Sequence, residues 1–120
     1  MVEPGTLSSE DYARLAVDEA SDGLGADVVL LDLTGLGVFT DYFVIASGET
    51  DRHLEALAEG ITSRLRAEGL RVHHVEGTGA GGWVLLDFPG IVVHLFTRRV
   101  RERYGLERLW ARAREIVRVQ

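Results

Sequence analysis

Between Gly82 and Trp110 the chain reads GWVLLDFPGIVVHLFTRRVRERYGLERLW, and three groups in its apolar part could do chemistry: Trp83, Asp87 and His94. They supply an N–H donor, a carboxylate acceptor and an imidazole that can donate or accept. A packed core needs none of them, so each must find a partner or face a surface that does something. The remaining residue patterns direct that surface toward binding rather than catalysis.

Two-metal phosphoryl transfer needs two carboxylates on one strand face, one residue apart. Asp27 and Asp32 are five apart, and Asp87 has no acidic neighbour at 85 or 89. His53, His73, His74 and His94 show no His-x₃-His spacing, and the adjacent pair point to opposite strand faces, so a metal site is not expected. Ser47-Gly48 lacks the Gly-x-Ser-x-Gly pattern of a nucleophile elbow. The stretch GTGAGG at 77–82 leads into a strand rather than a helix, and the chain holds no lysine, so it reads as an inter-strand loop rather than a phosphate cradle. With no cysteine, disulfides and thiolate chemistry are excluded. No cofactor is implied.

Binding patterns are better supplied. Trp83, Leu85 and Asp87 share one face of a strand, and His94 lies with Val92 and Phe96 on one face of the next. Periodicity leaves Trp83 either as core or as an exposed aromatic anchor flanked by arginine, the make-up of a protein-binding hot spot. Four arginines fall within Arg98–Arg103, just before Tyr104. They could contact RNA phosphates, or pair with acids elsewhere in the molecule. Residues 1–60 carry thirteen acids against Arg14 and Arg52, whereas residues 61–120 carry eleven arginines against six acids. The whole has a net charge of −6.

The elements that must position these residues follow from patterning. A chain of 120 residues is expected to form one domain, with residues 1–7 as a loose start. Ser8 reads as a helix N-cap with Glu10 and Asp11 in the first turn, Leu7 and Tyr12 as its staple, and Gly23 or Gly25 as its stop. Runs 27–33 and 42–46 are apolar enough to be strands covered on both faces. Asp41 is placed to brace the loop 36–40 that joins them. A second helix starts at Thr50, shows Leu54, Leu57, Ile61 and Leu65 at helical spacing, and stops at Gly69. The weak strand 71–75 belongs near an edge, and 83–88 and 91–96 form a hairpin about Pro89-Gly90. Leu106, Leu109, Trp110, Ala113, Ile116 and Val117 predict a last helix. The expected order is α-β-β-α-β-β-β-α, a single-domain mixed sheet of about five strands flanked by helices. No run approaches the ~20 apolar residues of a membrane span, so a cytoplasmic protein is expected.

In this order and spacing, the residues resemble the ribosomal silencing factor, or Iojap, family. The matching elements are DVVLLDL at 27–33, TDYFVIASG at 40–48, Arg52-His53, Glu76-Gly77, WVLLD at 83–87, VVHLF at 92–96, Arg103-Tyr104, Leu106-Glu107 and Leu109-Trp110. They span about residues 10–112; the Gly-rich 78–82 segment is longer and richer in glycine than the family pattern. The resemblance implies a nucleotidyltransferase-like fold without catalytic carboxylates. It also implies a non-enzymatic repressor of translation that binds the large ribosomal subunit through that subunit's protein number fourteen, most notably when nutrients are scarce. Docking there blocks joining with the small subunit. The contact residues it implies are Trp83, His94, Tyr104 and Glu107, with Arg103 and Asp87 as second choices. An RNA-binding module using the arginine-rich C-terminal face is the rival, and a nucleotidyltransferase-like enzyme a more distant one. A peripheral rRNA contact, and self-association of the free protein through its apolar patch, also remain open.

Overall fold

The computed structural model describes residues 7–120, apart from the Leu109 side chain; the loose start expected over 1–7 otherwise lies outside the described residues. The first helix, α1 (Ser9–Asp22), begins where Ser8 accepts from the Asp11 backbone N–H and Asp11 returns a bond to the Ser8 N–H. This reciprocal cap satisfies two N–H groups that a helix start otherwise leaves bare. Leu7 and Tyr12 both pack into the main core, as the staple spacing predicts. Strands β1 (Ala26–Asp32) and β2 (Tyr42–Gly48) follow, then α2 (Asp51–Ala67), capped by the Thr50 hydroxyl. Three strands come next, β3 (His74–Thr78), β4 (Trp83–Phe88) and β5 (Ile91–Thr97).

These strands form one mixed sheet with β6 (Arg114–Val119), in the order β3-β4-β5-β2-β1-β6. Only β2 and β5 run parallel; the other neighbours are antiparallel. The two central strands are buried along nearly their whole length, which is why their sequences are continuous apolar runs. Both α1 and α2 cover one face, with Ala13, Ala16, Leu54 and Ile61 against Val28, Val44, Val93 and Leu95. The weak, polar strand lies at the sheet edge as expected, displaced to 74–78. Among the described residues, no helix is long and apolar enough to cross a membrane.

The C-terminal segment departs from expectation. Instead of one helix over 106–117, the chain forms α3 (Arg98–Tyr104), a single turn α4 (Leu106–Leu109), and then the sixth strand. Gly105 makes the break: it sits in the left-handed region at φ +57, where glycine carries no Cβ penalty. Beyond it, β6 pairs with the far edge of β1, matching Val28 to Val119 and Leu30 to Val117. The register slips between Leu30 and Leu31, so Ile116 is an extra residue in the ladder. That bulge lets the adjacent Ile116 and Val117 both pack against the main core.

A half-covered aromatic face as candidate functional site

The second face of the sheet has no long helix over it. Val29, Leu31, Phe43, Ile45, Val92 and Phe96 form its buried floor. Leu36 and Val38 from the β1–β2 loop, and Val100, Leu106 and Trp110 from the C-terminal segment, cover part of it. Toward β4 the cover thins, leaving Trp83, Leu85 and Asp87 half-buried on a single face, alternating with buried Val84, Leu86 and Phe88. Trp83 is therefore neither pure core nor pure surface.

Its environment explains the polar residues in the apolar hairpin. Strand register places Trp83 opposite Phe96 and Leu85 opposite His94. The Trp83 indole N–H donates to His94 Nδ1 at 3.2 Å. An indole N–H can only donate, so Nδ1 must be the unprotonated nitrogen and Nε2 carries the hydrogen. That Nε2 is buried and has no hydrogen-bond partner among the described residues. The imidazole meets Phe43 edge-on at 4.7 Å between centroids, and Trp83 stacks on Phe96 at 5.1 Å. Tyr104, at the end of α3, lies 4.6 Å from the Trp83 ring and is 51% exposed. Three of the expected contact residues, Trp83, His94 and Tyr104, thus belong to one aromatic cluster.

His94 is only 4% exposed. It positions Trp83 from beneath rather than offering its ring to a partner. Burial pushes its imidazole down to about 4. The unfolded chain, with an ordinary histidine, takes up a proton below about pH 6.5 that the folded protein refuses until about pH 4. Folding stability should therefore fall as pH drops through that window, by about 3 kcal/mol in total from this group. In His94→Gln, whose side-chain amide can still accept the indole N–H, that part of the slope should vanish. Urea melts of both proteins at pH 7, 5.5 and 4.5 check this; equal slopes would show that His94 is readily protonated in place.

Glu107 lies in an ion-pair network at the C-terminal end of the chain. Its Oε1 accepts from Arg101 Nε at 2.8 Å, and its Oε2 lies 3.6 Å from Arg118 on β6. Arg101, 9% exposed, also donates from Nη1 to the buried Ser47 hydroxyl at 2.9 Å. The hydrogen bond from Arg101 holds the Glu107 carboxyl below the usual range, with partial burial opposing and Arg118 assisting. Glu107 thereby ties α3, α4 and β6 to the end of β2. Asp87 sits on the Trp83 face, across from His74 and Val92. Arg103 is exposed on α3. Sequence reasoning weighed Arg101 only as one of the four arginines of Arg98–Arg103; a charged residue amid three others gave no sign that it alone would be buried.

The crevice at the carboxyl ends of β2 and β5, where sheet enzymes often bind ligands, encloses about 400 Å³ beside Ser47. Its four arginines are nearly balanced by Asp27, Glu102 and Glu107, so it presents no strong field to an anion. Among the described residues, no three His, Cys, Asp or Glu side chains gather as metal ligands. Asp41, expected to brace the β1–β2 loop, does so with its backbone: its C=O accepts from Leu33 N–H, and its N–H donates to the Gly90 carbonyl.

A mixed six-stranded sheet with two helices on one face and a part-covered aromatic cluster on the other defines a small single-domain α/β protein. The sequence matches the family described as "Ribosomal silencing factor during starvation" over residues 6–120, and the chain belongs to that family. A relative named ribosomal silencing factor RsfS, from Zymomonas mobilis, is 38% identical over 88% of this chain and 79% of its own. A mouse protein, named mitochondrial assembly of ribosomal large subunit protein 1, is 39% identical over 60% of this chain and 33% of its own. A crystal structure from Chromobacterium violaceum superposes with a TM-score of 0.84, covering 95% of this chain and 94% of that one at 28% identity.

Proposed function

We propose that the protein represses translation by binding, with no turnover: it docks its aromatic face on the large ribosomal subunit and sterically blocks joining with the small one. The observation that carries this reading is the Trp83–Tyr104 pair, aromatic and part-exposed over a rigid buried floor. Such an anchor supplies affinity when a partner excludes the remaining water. Membership of a silencing family, and a relative named for large-subunit assembly, support the subunit assignment. Within the subunit the partner is its protein number fourteen, as the family resemblance implies. Charge favours a protein contact over an RNA one. The chain carries −6 overall, and on the open face Glu76 pairs across from Leu85, next to Trp83, with Asp87 farther along the same strand face. Tyr104 and Trp83 make the contact, Asp87 and Arg103 rim it, and His94 and Glu107 hold it in shape. The exposed arginines of α3 supply any peripheral rRNA contact. The cytoplasm is the place of action, and starvation the occasion.

The test is sucrose-gradient sedimentation of purified bacterial subunits at joining-permissive magnesium, with and without the protein. Co-migration with the large subunit and a smaller joined peak support the reading. Protein left at the top with joining intact overturns it. Tight, steeply salt-dependent binding to naked rRNA would favour the arginine face instead. Sedimentation of the free protein shows whether a second copy covers the same face before the subunit does.

A further inference from the structure

The rings of the second face form a connected series. From Tyr104 it runs to Trp83, then to His94 at 5.9 Å, to Phe43 at 4.7 Å, and on to Phe39 at 6.4 Å. The middle rings are buried or half-buried, whereas both ends lie open: Tyr104 is 51% and Phe39 79% exposed.

The exposure of Phe39 is not that of a frayed loop. Leu33 and Thr40 on either side are buried, and Leu36 and Val38 pack into the floor of the second face. The ends are pinned by Leu33 N–H to the Asp41 carbonyl at 2.8 Å and Asp41 N–H to the Gly90 carbonyl at 3.1 Å. From Leu36 to Thr40 the residues alternate in and out, and that alternation holds Phe39 outward. Gly35 and Gly37, at φ +82 and +74 with open space around them, give the loop its turns. A lone exposed apolar residue needs no explanation. Phe39 differs because it extends a ring series whose other end is the proposed anchor.

We propose that Phe39 is a second anchor for the same partner, so that the docking face is gripped at both ends of the aromatic series. The inference rests on the docking reading above. Four ring-to-ring steps, each below 6.5 Å, separate the two ends. Both therefore fit under one interface of ordinary size, roughly 800 Å² per partner. The occupant is the large-subunit protein surface, which must offer two apolar seats, one for Trp83 and Tyr104 and one for Phe39.

The experiment measures the affinity of purified large subunits for the native protein and for Phe39→Ala, Phe39→Leu and Tyr104→Ala, with a thermal melt of each. Phe39→Ala should bind at least fivefold more weakly with an unchanged melting midpoint, and Phe39→Leu should recover most of the loss. If Phe39→Ala binds as the native protein does while Tyr104→Ala is impaired, Phe39 is no anchor although the docking reading stands. If both bind as native, or the native protein does not bind, the docking reading itself fails. A Phe39→Ala protein that loses binding and melting midpoint together would make Phe39 a packing residue and overturn the proposal.

Discussion

Trp83→Ala is expected to weaken large-subunit binding at least tenfold and to cost about 2 kcal/mol of folding stability at the same time. The two losses have separate causes. Binding falls because the half-buried indole lies against Tyr104 and forms part of the proposed anchor. Stability falls because the buried part stacks on Phe96, and because His94 Nδ1 loses its donor inside an apolar site. Trp83→Phe separates them: it keeps most of the stacking area but strands His94, so it should lose about 1 kcal/mol of stability and only part of the affinity. Urea unfolding and subunit titration on the same preparations provide both readings. Full affinity in a destabilised but folded Trp83→Ala would remove Trp83 from the contact and leave it a core residue.

Arg101→Met should destabilise the fold by about 2–3 kcal/mol. Methionine fills the space of the alkyl stem, but the Ser47 hydroxyl loses its partner and Glu107 is left with the longer contact to Arg118 alone. The damage should concentrate in the C-terminal strand, because Glu107 and Arg118 couple α4 to β6. Hydrogen exchange should therefore speed up at β6 before it does at β2 or β5. A second consequence concerns acid. The Glu107 carboxyl is held low chiefly by Arg101, so its contribution is present above the ordinary carboxylate range and lost as pH falls through its depressed value. In Arg101→Met that loss should shrink, giving a shallower acid limb. Uniform exchange across the sheet, with an unchanged acid limb, would show that the network does not hold the strand.

Most of the architecture was legible because local and tertiary demands agree. Ser8 and Thr50 announce helix starts through a short-range bond, and the apolar runs of β1 and β2 read as strands covered on both faces. The C-terminal segment was misread because two periods overlap in it. Leu106, Leu109, Trp110 and Ala113 keep helical spacing, and the bulge at Ile116 puts two neighbouring apolar residues on one side, imitating a helix. What settles it is the bare edge of β1, whose backbone groups need a strand. No property of residues 114–119 states that need; it arises only once β1 is placed.

The candidate site divides similarly. Trp83, Asp87 and His94 stood out as polar or amphipathic groups in an apolar hairpin; alternation put Trp83 with Asp87 and His94 with Phe96, and the strand register joined the two sets on one face. Their roles depend on depth, which alternation does not measure. Tyr104 remains part-open on the face, His94 sinks beneath Trp83, and Glu107 turns to Arg101. Residue type at fixed spacing was enough for the caps at Ser8 and Thr50, the apolar strand runs of β1, β2, β4 and β5, and the family pattern. Which arginine is buried, which aromatic rings are left open and how residues 114–119 pair came from the folded arrangement. Those outcomes depend on contacts between segments far apart in the chain, where burial and hydrogen-bond satisfaction are decided together.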